Sequence, residues 1–247
     1  VRPALVVVAV ALGVALVSML AFALGARGRR DADAQRKGSR LLLGLGDFLI
    51  HWFMWAIGPL ERLLVRAGAT PDHMNAAGLV LGLLAGVLLG LGRLEAGGGL
   101  LALAGACDVL DGRLARARGV ASPYGKFIDS TLDRFVETFA FLGLVVFYRA
   151  WPLGAFVAAA GLGGSLLVSY AQARGETVNV SGSGGLMQRA ERLVLTILGC
   201  VLDPSLSRAL GWPAGSVLLG VLVLIAVGSL GTAVYRTVWI ARQLKKR

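Results

Sequence analysis

The stretch Asp108–Asp133, DVLDGRLARARGVASPYGKFIDSTLD, decides how this chain folds around its chemistry. It fits the pattern D-x2-D-G-x2-A-R-x8-G-x3-D-x3-D at every specified position. Eight fixed residues, each with odds of roughly one in ten to twenty, coincide by chance less than about once in 10⁸ registers, so the pattern is specific. Asp108 and Asp111 stand i,i+3 on one helix, and Asp129 and Asp133 stand i,i+4 on the next, so each pair shares a helix face. A short loop between the two helices closes a hairpin and gathers the four carboxylates.

Outward from the hairpin the chain is strongly apolar. Of its 247 residues 56% are hydrophobic and 16% charged, and the mean hydropathy is +0.74, well outside the range of soluble domains. Several apolar runs reach the roughly 20 residues a helix needs to cross about 30 Å of hydrocarbon. The alternating segments of a membrane barrel are absent. The fold class read from this is an all-α integral membrane protein with spans at about 73–92, 97–118, 125–148, 152–173, 189–203 and 214–240.

An additional apolar run, Ala4 to Gly25, precedes Arg27, Arg29 and Arg30. A basic cluster on its C-terminal side favours a retained anchor over a signal peptide, with the N-terminus outside and the following linker in the cytoplasm. Between Leu41 and Gly68, apolar residues mix with His51, Trp52, Trp55, Glu61, Arg62 and Arg66 around Pro59, the pattern of an interfacial amphipathic helix. The expected organisation is therefore anchor and basic linker over 1–40, an interfacial segment over 41–72, and a six-span catalytic domain over 73–247.

The net charge of +11 does not point to nucleic acid, because the basic residues sit at the ends of apolar runs rather than in one stripe with aromatics. Threading the spans leaves only Arg2, Arg93, Arg149 and Arg208 outside and puts the other 21 of 25 basic residues at the cytoplasmic side. Cys107 and Cys200 lack paired spacing and read as buried free thiols. Gly78, Gly82, Gly86 and Gly90 recur every fourth residue and present a bare stripe for close helix packing.

Four like charges within membrane helices need compensation, since each ionisable residue there costs about 2.5–3.5 kcal/mol even on the lenient insertion scale. All-oxygen ligation by Asp108, Asp111, Asp129 and Asp133 selects a hard cation, Mg²⁺ or Mn²⁺. Gly112 and Ala115 leave room beside that face for a bulky ligand, and the guanidinium fork of Arg116 suits a diphosphate. Gly125 opens the second helix where it passes its neighbour. A transporter would instead show inverted repeats and charges near the midplane.

With this motif, residues 69–247 resemble the CDP-alcohol phosphotransferase family throughout. The resemblance implies a six-helix membrane fold, usually a homodimer, that releases CMP from a CDP-alcohol such as CDP-diacylglycerol. It implies that Asp108, Asp111 and Asp129 hold two metal ions, and that Asp133, beside them, is the general base. It places Gly112, Ala115, Arg116 and Gly125 at the CDP site with the Thr70-Pro71-Asp72 segment and Asn75. The N-terminal 40 residues have no counterpart in the minimal family fold and are expected to serve as an anchor or a dimer contact.

On the acceptor side, Arg174, Arg189, Arg192 and Arg236 collect at the cytoplasmic edge around a Gly/Ser loop, Ser181 to Gly185. Positive-inside topology and an anion pocket both require such residues. The stretch SYAQARGETVNVSGSGGLMQRAERL, residues 169–193, resembles bacterial phosphatidylinositol-phosphate synthases without a gap. That resemblance implies that the positions of Gln172, Arg192 and Arg236 hold the phosphate of inositol phosphate, with Gln172 standing where those enzymes have a lysine. Glycerol phosphate, free inositol and other alcohols remain alternative acceptors.

Overall fold

The computed structural model describes residue 13 and residues 17–25, 45–180 and 184–247. The 26–40 linker, most of the first apolar run and residues 181–183 of the Gly/Ser loop lie outside the described residues. The chain divides into two compact units, Val1–Gly68 and Ala69–Arg247.

In the first unit, helix α1 (described residues 17–25) precedes α2, Leu45–Arg66. Trp52 Nε1 donates to Ser18 Oγ at 3.0 Å, and the Phe22 ring lies 5.6 Å from Phe48 and 5.7 Å from Trp55. Pro59 does not break α2, although the sequence reads as interrupted there. A proline removes one helical donor, and the turns on both sides carry the helix through.

The second unit comprises α3 (Pro71–Gly90), α4 (Leu94–Ala117), α5 (Pro123–Phe147), α6 (Pro152–Thr177), α7 (Arg189–Ala209) and α8 (Ser216–Leu244). Among the described residues every regular element is helical. Helices α3, α6 and α8 are long and apolar enough to cross a membrane by length and composition, and the chain is a multi-pass membrane protein. Helices α4, α5 and α7 have comparable lengths but carry the aspartates and arginines, which lowers their hydropathy. The helix ends fall within about a turn of the expected ones except at α7, which continues past Asp203 through Pro204 to Ala209. The Ser207 hydroxyl donates to Asp203 Oδ1 at 2.8 Å and holds that extra turn in place.

Helix α3 packs against both α4 and α5, which touch each other only marginally. The glycine stripe makes this possible. An added Cβ at Gly82 would meet the Val136 side chain at 2.8 Å, and one at Gly86 would collide with the Phe139 carbonyl. The core beneath is built from Leu89, Leu101, Phe141, Leu144, Leu218 and Ile225. Cys107 and Cys200 are free thiols, the latter fully buried.

At one end of this unit Asp203, with no exposed surface, caps the start of α8. It accepts from Gly215 N at 2.7 Å and Leu218 N at 3.0 Å, where the helix leaves donors unpaired. The Tyr148 hydroxyl donates to Gly215 O at 2.6 Å, completing a closed polar knot.

Candidate active site

The motif hairpin is shaped by its turn. Helix α4 ends in a Schellman arrangement: Gly119, at φ +68°, donates to Arg116 O at 3.1 Å, and Val120 donates to Ala115 O at 3.0 Å. Helix α5 restarts at Ser122, whose hydroxyl accepts from Gly125 N at 3.2 Å, with Pro123 in the first turn. Opposite them α3 begins in a capping box, in which Thr70 Oγ1 accepts from His73 N and His73 Nδ1 accepts from Thr70 N. These starts fix the residues that face one another.

Between them lies a cleft of about 370 Å³. It is lined by Asp72 and Asn75 from α3, by Asp111, Gly112, Ala115 and Arg116 from α4, and by Gly125 and Asp129 from α5. Of the residues assigned from sequence to the donor site, Pro71, Asp72, Asn75, Gly112, Ala115, Arg116 and Gly125 share this cleft, and Thr70, the cap of α3, does not line it. At Gly112 an added Cβ would meet Arg116 Nη1 at 3.2 Å, so the bare position lets the guanidinium lie close. At Gly125 it would meet only Ser122 Oγ, at 3.6 Å. The missing side chain there keeps the cleft open and serves no helix contact, which corrects the expectation that α5 passes a neighbour at that point. Tyr124 and Lys126 line the cleft as well and were not singled out from sequence; the cation of Lys126, adjacent to the motif glycine, was the available signal.

Asp108, Asp129 and Asp133 each offer a carboxylate oxygen within 4.8 Å of the others, all half-buried. Such a donor set fits a hard divalent cation. Asp129 belongs to both groups and joins the cleft to this triad. Asp111 is buried on the cleft wall, where its carboxylate accepts from Gly112 N–H. Arg189, at the start of α7, bridges two triad members through Nη1 to Asp108 Oδ2 at 3.0 Å and Nη2 to Asp133 Oδ1 at 2.5 Å. It therefore sits on the carboxylates.

The remaining basic residues take different places. Arg192 is buried against Glu137, which the sequence reading passed over although it lies one turn beyond Asp133 on the same face. Arg236 is buried and donates to Gly184 O at 2.9 Å, Val168 O at 3.2 Å and Gln172 Oε1 at 2.8 Å. Gln172 meets Arg236 as a hydrogen-bond acceptor, a role a lysine cannot take. Arg174 is exposed and lines a separate, mostly apolar groove between α6 and α8 with Tyr170, Val234 and Ile240.

Residues 69–240 match the CDP-alcohol phosphatidyltransferase family. The chain belongs to that family. This CDP-alcohol phosphatidyltransferase is 33% identical over 206 residues to the phosphatidylinositol phosphate synthase of Streptomyces avermitilis, covering 81% of this chain and 83% of the relative. A crystal structure of Mycobacterium tuberculosis phosphatidylinositol phosphate synthase with CDP-DAG bound superposes with a TM-score of 0.64 at 31% identity, over 74% of this chain and 92% of that one. The same mycobacterial enzyme in complex with manganese and citrate gives 0.64 at 32% identity, over 73% and 88%. The chain is a family enzyme of the metal-dependent type.

Proposed function

We propose that this phosphatidyltransferase moves a phosphatidyl group from CDP-diacylglycerol to inositol phosphate and releases CMP. The observation that carries the reading is the Asp108–Asp129–Asp133 triad, whose Asp129 also lines the cleft that holds Arg116. The cleft suits a CDP group: Arg116 and Lys126 meet the diphosphate, while Asp72 and Asn75 offer polar contacts to the nucleoside.

Asp108, Asp111 and Asp129, with Asp133 beside them, would hold two Mg²⁺ or Mn²⁺ ions. When bound, such ions neutralise the diphosphate and the departing CMP. Asp133 takes the proton of the acceptor hydroxyl. The acceptor oxygen then bonds to the lipid-bearing phosphorus, the bond from that phosphorus to the oxygen of CMP breaks, and CMP leaves with the electron pair. Arg189, between Asp108 and Asp133, orients the base.

The acceptor assignment is supported by Arg236, a buried cation whose hydrogen-bond partners among the described residues are neutral oxygens. An arginine so placed is suited to an incoming phosphate. The spread of basic residues supports a site facing the cytoplasm, six spans in the second unit, an interfacial α2 and an N-terminus outside; the family resemblance supports a homodimer. The test is to supply purified protein, Mg²⁺ and CDP-diacylglycerol with a panel of acceptors and identify the lipid by mass spectrometry. Inositol phosphate should give the best turnover with stoichiometric CMP. Preference for glycerol phosphate or an uncharged polyol would replace the acceptor, and no CMP with any acceptor would sink the reading.

A further inference from the structure

A buried ion pair lies one helical turn beyond Asp133. Arg192 Nε donates to Glu137 Oε1 at 2.7 Å and Nη2 to Oε2 at 3.3 Å, while Nη1 donates to Met187 O at 3.2 Å. The Arg192 side chain is 1% exposed and that of Glu137 12%. Both line a cavity of about 20 Å³ that Asp133, Arg189 and Thr196 also line. That volume admits about one water molecule. The two arginines read as acceptor ligands are thus unlike: Arg236 brings its full charge, whereas Glu137 cancels that of Arg192.

A buried pair of this kind contributes little to stability over an apolar substitute, because desolvation offsets the attraction. Its charge balance, however, acts on any anion that comes near. We propose, building on the acceptor reading above, that Glu137 is a positioning residue that sets the affinity of the acceptor site for phosphate. Its two carboxylate oxygens fix the plane of the Arg192 guanidinium beside Asp133 and hold down its pull on an anion. A phosphorylated acceptor is then oriented by Arg192 without being trapped, and the lipid product, which keeps that phosphate, can leave. Without the carboxylate, Arg192 becomes a second uncompensated cation next to Arg236, and the phosphate is held too tightly.

The experiment uses the full chain with CDP-diacylglycerol, Mg²⁺ and inositol phosphate, and inorganic phosphate as a competing anion. Glu137→Gln keeps the size and one acceptor oxygen but removes the charge. It should lower the inhibition constant of inorganic phosphate by at least about threefold. The KM for inositol phosphate should fall with it, kcat should drop, and the KM for CDP-diacylglycerol should stay constant. Glu137→Asp restores the charge on a shorter arm and should give an intermediate inhibition constant. An unchanged or higher inhibition constant in Glu137→Gln, with the wild type inhibited, overturns the proposal and leaves the acceptor reading intact. A wild type that inorganic phosphate does not inhibit at all removes the acceptor reading and this proposal together. Should Glu137→Gln fail to fold, Glu137→Asp decides alone, and an inhibition constant equal to the wild type's overturns the proposal.

Discussion

Two regions of the second unit bury carboxylates, and they do so in opposite ways. Asp203 accepts from two backbone N–H groups and a hydroxyl, donors that belong to the fold and cannot leave. Asp108 and Asp133, by contrast, share the tip of one long side chain, that of Arg189. Asp133 lies near the middle of α5 and Tyr148 caps its C-terminal end, about 22 Å further on at the rise of an α-helix. A buried carboxylate with permanent donors is a staple. One whose partner is a mobile cation can exchange that partner, and this separates a metal centre from a structural cap.

The contrast is most sharply tested by neutralising one carboxylate in each region. Asp129→Asn should lower turnover by more than about 10³-fold, roughly 4 kcal/mol in barrier terms, while thermal unfolding in detergent stays near that of the wild type. CMP release measures the first and a melting curve the second. Activity within tenfold of wild type would place the metal site elsewhere.

Asp203→Ala should do the reverse. It strands two backbone donors and a hydroxyl in the interior at a cost of about 3 kcal/mol, read as a lower melting temperature, with kcat at low temperature within roughly threefold of wild type. A variant equally dead and equally stable would mean that the far end is coupled to the chemistry and would break the distinction.

Metal titration sharpens the same point. Mg²⁺ at a hundred times its dissociation constant should stabilise the wild type by about 2.7 kcal/mol. Asp203→Ala should keep that increment and Asp129→Asn should lose it; an increment surviving in Asp129→Asn would show that the ion binds without the triad. The smallest effect is expected of Tyr148→Phe, which loses the bond to Gly215 O and should cost about 1 kcal/mol with the metal response unchanged.

The aspartate hairpin was legible because its information is local. The i,i+3 and i,i+4 aspartate pairs, Gly119 in the turn and the capping residues Thr70 and Ser122 all lie within a few residues of what they shape. The far end was not. Asp203 meets Leu218 fifteen positions on, and nothing in the sequence marks that a helix start would arrive there. Arg189 finds Asp108 across 81 positions, so its place on the carboxylates had no sequence signal beyond a charge at a helix start. Glu137 is the instructive omission: its spacing from Asp133 was plain, but its partner Arg192 lies 55 residues away. The continuation of α7 past Pro204 was hidden for the same reason, since the turn depends on Asp203.

Helix α3 supplies no carboxylate to the triad, yet it is wedged between the two helices that do. Its bare positions define that wedge: Gly78 faces Cys107, the neighbour of Asp108, and Gly82 faces Val136, three residues after Asp133. The gap across which Asp108 faces Asp129 is therefore set like a machinist's gauge block, by the thickness of a part that adds no carboxylate of its own to the triad. A single methyl group at Gly82 would meet Val136 at 2.8 Å and push the jaws apart. The spacing of the two aspartate helices thus depends on residues that any inventory of ligands would leave out.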